Sequence, residues 1–165
     1  MQNVIVRRAK LGECQELARI KGEVWKTTYR GIYADAALDN YDVEKNTRIL
    51  EQIWNTPGIE LFLAEVDGKI VGLMTCGNLY KPVEGFDQEV GLLYVLKEYQ
   101  RIGIGRKFLN TAAEIVRRNG YDRFLVSVNS RNLDAIRFYE RMGGFEIHGE
   151  DTQKRFCFQN LFIRA

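Results

Sequence analysis

The stretch from Glu89 to Lys107 leaves the rest of the chain the fewest choices. Val90-Gly91-Leu92-Leu93-Tyr94-Val95-Leu96 is a nearly unbroken apolar run with the length and composition of a buried strand. A short polar link, Lys97-Glu98-Tyr99, leads into Gln100-Arg101-Ile102-Gly103-Ile104-Gly105-Arg106-Lys107. From Ile104 on, Phe108, Leu109, Ala112, Ile115 and Val116 recur at helical spacing, so a helix opens at about the glycines. The first amides of that helix have no intrahelical partner, and the macrodipole adds partial positive charge there. Glycines remove the Cβ atoms that would hold an anion away, and basic side chains stand at the mouth. The anion this arrangement fits is a pyrophosphate.

Three known loops compete for the stretch. A dinucleotide-binding fingerprint would place a third glycine where Phe108 stands, and a nucleotide P-loop would need Gly-Lys-Ser or Gly-Lys-Thr. A lone Gly-x-Gly also serves as a plain strand-to-helix turn. The full pattern, Gln-x-x-Gly-x-Gly after a Leu-Tyr-Val strand, resembles the coenzyme A pyrophosphate loop of the GNAT superfamily of acyl-CoA N-acyltransferases. The family often has proline where Lys97 stands here.

A second element carries the same resemblance. Asn132 to Phe145, with Ala135, Phe138-Tyr139 and Gly143-Gly144-Phe145, is similar to the Asn-x-x-Ala-x-x-Phe-Tyr-x-x-x-Gly-Phe segment after the fifth strand of GNAT enzymes. The doubled glycine is one residue longer than the commonest pattern. Read from the residues alone, Asn132 is an N-cap candidate and Tyr139 a core aromatic with its hydroxyl at the surface. The two elements together cover about the second half of the chain. The first half matches in element order only.

Composition sets bounds on both readings. The 165 residues fit one domain, residues 1–165, with one core. A net charge of +2 argues against nucleic acid or an acidic membrane surface as partner. Cys14, Cys76 and Cys157 are widely spaced among apolar neighbours and read as reduced core thiols, with neither a metal spacing nor a disulfide framework. No stretch is long enough to cross a bilayer, and the chain opens directly into an alternating strand, so the expected compartment is the cytoplasm.

Hydrophobic periodicity gives the order β-α-α-β-β-β-α-β-α-β-β, an α/β (α+β) fold with a mixed sheet and helices on its faces. Val4–Ala9 reads as the first strand, and a helix from Cys14 ends near Gly31. Asp42 caps a second helix, and Asp67-Gly68-Lys69 joins two strands in a tight hairpin. Residues 78–87, with Pro82 and Gly85, read as a loop. Asn119-Gly120 stops the central helix. Phe124–Val128, Phe145–His148 and Arg155–Ile163 read as the remaining strands.

The resemblance implies an acetyl-CoA-dependent N-acetyltransferase acting on a primary amine of a small molecule or peptide, with no metal. Arg101, Ile102, Gly103, Ile104, Gly105 and Arg106 would hold the pyrophosphate. Main-chain groups of Leu93, Tyr94 and Val95 would pair with the pantetheine arm, and Asn132 would contact it. Tyr139 would protonate the leaving thiolate. An amine of pKa roughly 10 needs a proton acceptor at neutral pH. Glu89 is the candidate, with Glu84 and Glu98 less well placed, and a solvated strand-end role is the plain alternative. His148 reads as structural. Trp25, Tyr29 and Tyr33 would line the acceptor pocket, although core packing accounts for Trp25 as well. Asp35, Asp39 and Asp42 would attract a cationic amine or form a solvated helix face. The family also allows a homodimer through the late strands. A non-catalytic acyl-CoA-binding regulatory module is the alternative function, and a nucleotide-binding α/β domain a weaker third.

Overall fold

The computed structural model describes residues 2–159. Its strands are β1 (Val4–Arg8), β2 (Ile59–Val66), β3 (Lys69–Val83), β4 (Phe86–Val95), β5 (Arg123–Asn129), β6 (Phe145–Glu150) and β7 (Gln153–Gln159). Its helices are α1 (Cys14–Thr28), α2 (Asp35–Asp39), α3 (Val43–Trp54), α4 (Ile104–Arg118) and α5 (Leu133–Arg141). The strands form one sheet in the order β1-β2-β3-β4-β5-β7-β6, the expected mixed α/β fold. Two compact units divide the chain. One holds the residues up to Thr75 with Leu92–Gly105, the other Cys76–Gly91 with the residues from Arg106 on.

In the first unit β1 runs antiparallel to β2, pairing Val4 with Val66 and Arg8 with Phe62. Helix α1 buries Cys14, Leu17, Ala18, Lys21 and Val24, the three-and-four spacing of a single stripe. Gly22 lies within that stripe for a steric reason. A Cβ there would stand 2.5 Å from the Tyr41 ring, whose hydroxyl donates to the Ala18 carbonyl at 2.6 Å. Helix α3 begins as its sequence requires, with the Asp42 carboxylate accepting the Lys45 N–H at 2.9 Å. The turn between β2 and β3 has Asp67 at φ 49° and Gly68 at φ 83°, both left-handed, as a two-residue hairpin demands.

In the second unit β5 pairs in parallel with β4, Glu89 beside Leu125 and Val90 beside Val126, and antiparallel with β7. Phe124 and Phe158 face each other across β5 and β7 with stacked rings 5.1 Å apart. Two helices here end in the same way. At α4, Gly120 (φ 88°) donates to Arg117 and Tyr121 donates to Val116. At α5, Gly143 (φ 99°) donates to Glu140 and Gly144 donates to Tyr139. Each is a Schellman stop. The doubled glycine therefore has two separate jobs. Gly143 takes the left-handed turn, while a Cβ on Gly144 would meet the Phe158 ring at 2.8 Å.

The structure departs from expectation in several places. Residues 78–83 and 86–87 extend β3 and β4, leaving only Glu84-Gly85 as turn. Pro82 is tolerated because this arm is exposed. The five-residue α2 is an element beyond the expected order, and it carries Asp35 and Asp39. On α5 the aromatic next to Tyr139, Phe138, is only half-buried; Tyr139 itself is buried as a core aromatic, because α5 turns Ile136 and Tyr139, three residues apart, onto its inner face. Asn160, Leu161, Phe162 and Ile163 of the expected last strand lie outside the described residues.

Candidate active site

The phosphate-loop candidate is built at the end of β4. Leu92 donates its N–H to Thr75 Oγ1 at 2.9 Å, and the Gln100 side chain donates to the Val95 carbonyl at 3.0 Å. Of the residues expected to meet a cofactor arm, Leu93, Tyr94 and Val95, the last thus has its carbonyl engaged by the first residue of the glycine motif. Arg101 then takes φ 65° and Gly103 φ 95° before α4 begins at Ile104. A left-handed arginine costs on the order of 1 kcal/mol or more, the kind of strain that concentrates at binding loops. No atom lies within 4 Å of where a Gly103 Cβ would project, so the space over the turn is open. Backbone amides turned inward by such alternating conformations form an anion-binding nest. Arg101, Ile102 and Arg106 are exposed around it, Gly105 sits in the first turn of the helix, and Ile104 is buried beneath. These residues fit a coenzyme A pyrophosphate.

The expected acceptor-side aromatics do meet. Tyr29 and Tyr33 stack at 4.8 Å, and Trp25 lies 5.6 and 5.8 Å from them. The structure adds members that local sequence reading missed. Tyr41 stands 6.4 Å from Trp25, and the Tyr94 hydroxyl accepts the Trp25 indole N–H at 3.1 Å. Only the Gly22 gap in α1 hinted at Tyr41. Burial pushes the Tyr94 phenol far above its ordinary range and Tyr41 up to about 12, so both stay protonated at neutral pH.

Lys21 was also missed. It is 9% exposed, donates to Asn46 Oδ1 at 3.0 Å and stands 5.6 Å over the Trp25 ring. Desolvation lowers its pKa. Asp35 and Asp39 are held by Arg30 at 3.2 and 3.1 Å, and Asp42 is spent on the α3 cap.

Glu89 on β4 is half-buried and accepts the Tyr80 N–H at 2.8 Å. Desolvation raises its pKa, and that hydrogen bond offsets part of the rise. Glu84, at the hairpin tip, and Glu98, in a 3-10 turn, are both exposed. Asn132 Oδ1 caps α5 by accepting the Ala135 N–H at 3.3 Å. Two turns on, Tyr139 is 6% exposed, its ring 6.0 Å from Phe156 and 6.3 Å from Phe158. His148 is exposed on β6.

The chain is similar to known proteins in sequence and in fold. The sequence model of the acetyltransferase (GNAT) family matches residues 24–145. An uncharacterized N-acetyltransferase of Bacillus subtilis, YuaI, is 31% identical over 83% of this chain and 78% of its own. The spermidine N(1)-acetyltransferase of Thermoplasma acidophilum is 25% identical over 91% of each. Among solved structures, the PaiA N-acetyltransferase of T. acidophilum in complex with coenzyme A superposes with a TM-score of 0.80. That alignment covers 95% of this chain and 99% of the other at 20% identity, a likeness of fold.

Proposed function

The chain belongs to the acetyltransferase (GNAT) family and is an N-acetyltransferase, and we propose that it moves the acetyl group of acetyl-CoA directly to a primary amine of a small molecule or peptide. The observation that carries this reading is the left-handed Arg101–Gly103 turn opening α4. Strain of this kind concentrates at binding loops, and the missing Cβ of Gly103 leaves room for an anion to approach the backbone. Arg101 and Arg106 add charge at its rim.

The remaining roles follow from the chemistry of amine acylation. The incoming amine has no lone pair while protonated, so a base must take a proton as the C–N bond forms. Glu89 serves, directly or through water, with a pKa raised toward the working pH. The sulfur leaving as the C–S bond breaks needs a proton in return, and the Tyr139 phenol supplies it. Leu93, Tyr94 and Val95 pair their main chain with the amide-bearing arm of the substrate, and Asn132 contacts it from the start of α5. Trp25, Tyr29 and Tyr33 face the acceptor. That a relative is named for spermidine supports an amine of low mass. The burial of the Cys14, Cys76 and Cys157 thiols suits a reducing compartment, the cytoplasm.

The decisive experiment is thiol release from acetyl-CoA across polyamines, monoamines, amino acids and peptide N-termini. Turnover with a subset of these is the expected result. Intact acetyl-CoA binding with no turnover on any of them would overturn the reading.

A further inference from the structure

We propose that Lys21 is a specificity-determining residue of the acceptor side, selecting amines whose remaining groups are neutral or anionic and rejecting polyamines. The inference rests on the acyl-transfer reading above and gives its acceptor a chemical class.

The argument starts from charge. The grouped rings of Trp25, Tyr29, Tyr33, Tyr41 and Tyr94 would, on their own, attract an ammonium group, whose charge is drawn to ring faces. Here an ammonium is already supplied by the chain. Lys21 Nζ stands over Trp25, buried, with Asn46 Oδ1 as its hydrogen-bond acceptor, and among the described residues no carboxylate pairs with it. The acids that could restore a negative field, Asp35, Asp39 and Asp42, are all exposed, where solvent and salt screen them. Asp35 and Asp39 share Arg30, and Asp42 holds the first turn of α3.

A second cation lodged against the same rings would sit roughly 8 Å from Lys21. At an effective dielectric constant of about 20, that repulsion weakens its binding roughly thirtyfold. The reacting amine escapes this penalty, because it attacks as the neutral base. Every other ammonium of a polyamine carries its charge through the reaction and does not escape. An anionic substituent would gain where the polyamine loses.

The test compares butylamine with 1,4-diaminobutane, which differ by one ammonium group. The wild-type enzyme is expected to favour butylamine by tenfold or more in kcat/KM. Lys21→Met, which keeps the length and removes the charge, should erase most of that preference, and Lys21→Arg should retain it. Calorimetric binding of each amine to the enzyme–CoA complex reads the same ratio without turnover. Lys21→Gln provides a second neutral variant should Lys21→Met fail to fold. A wild-type preference for the diamine, a ratio unmoved in both neutral variants, or binding of neither amine to a complex that holds CoA would overturn the inference. Failure of acetyl-CoA itself to bind would instead strike the acyl-transfer reading beneath it.

Discussion

Helices α4 and α5 each open at one of the two motifs that stand out in the sequence, yet they treat their first amides in opposite ways. At α5 the chain satisfies itself, with Asn132 Oδ1 folded back onto the Ala135 N–H. At α4 the residue before the helix is Gly103, which has no side chain to offer and holds φ at 95°. The first is a finished piece of structure. The second spends backbone strain at Arg101 and, on the reading proposed above, keeps its amides for the pyrophosphate. On that reading, similar sequence signals, a small polar or flexible residue ahead of an apolar helix, leave one helix start closed by its own chain and the other open to a ligand.

Closing the open helix start should have the largest effect. Gly103→Val puts a branched side chain at a left-handed position in the open space over the turn, and coenzyme A affinity should fall by roughly a hundredfold or more. That is the scale of losing two or more charge-assisted hydrogen bonds. Gly103→Asn, which tolerates this backbone and can cap α4 itself, should give a smaller loss with the fold intact. Calorimetry with coenzyme A reads both, and unchanged affinity in a folded Gly103→Val protein would remove the contrast between the two helices.

Next in size is Glu89→Gln, which should lower kcat/KM by about a hundredfold. In the wild-type pH–rate profile the acidic limb should lie above the ordinary glutamate value of about 4.3, because burial raises this carboxyl. The stability effect has the opposite sign. A carboxyl whose folded pKa exceeds its unfolded one favours folding below the unfolded value, and that advantage is lost as pH rises through the folded value. Glu89→Gln should therefore leave Tm at pH 8 unchanged or higher, and a large drop would mark the residue as structural.

Tyr139→Phe should come third, with kcat reduced about tenfold or more while coenzyme A affinity and Tm hold. Wild-type turnover with chemistry rate-limiting would make this tyrosine a packing residue beside Phe156 and Phe158. The smallest effect belongs to the finished helix start. Asn132→Ala should cost about 1 kcal/mol in denaturant unfolding, and Asn132→Ser should restore most of it.

Much of the fold was legible because its signals are local. Asp67-Gly68, Asn119-Gly120 and Asp42 each dictate a conformation within a turn of themselves, and each does so in the structure. The outer arm of β3 and β4 was hidden because Pro82 and Gly85 are breakers that an exposed hairpin tolerates. The inner face of α5 was legible at Ile136 and Tyr139, three residues apart and both buried, while their neighbour Phe138 ends half-buried. On the site, the glycine loop could be read from one stretch. The aromatic group could be read only in part: Trp25, Tyr29 and Tyr33 follow closely in the chain, but Tyr94 is 69 residues from Trp25 and only the folded chain joins them. Lys21 escaped notice for a related reason. A lysine in an amphipathic helix reads as solvent-facing, and its burial follows from Asn46 and Trp25 lying on the same side.

The stop of α4 also bears on how the molecule ages. An asparagine followed by glycine loses ammonia when the glycine nitrogen attacks the side-chain amide carbon, leaving an aspartate or its isomer. In the folded chain both partners at Asn119-Gly120 are restrained. Gly120 N–H is committed to the Arg117 carbonyl at 2.9 Å, and the Asn119 amide donates to Gln88 Oε1 at 2.9 Å. Once formed, an aspartate could not make that donation to the buried Gln88, and its charge would face the negative end of the helix. The damage therefore accumulates during moments of local opening and makes the next opening easier, so residue 119 keeps a chemical record of the time this turn has spent unfolded.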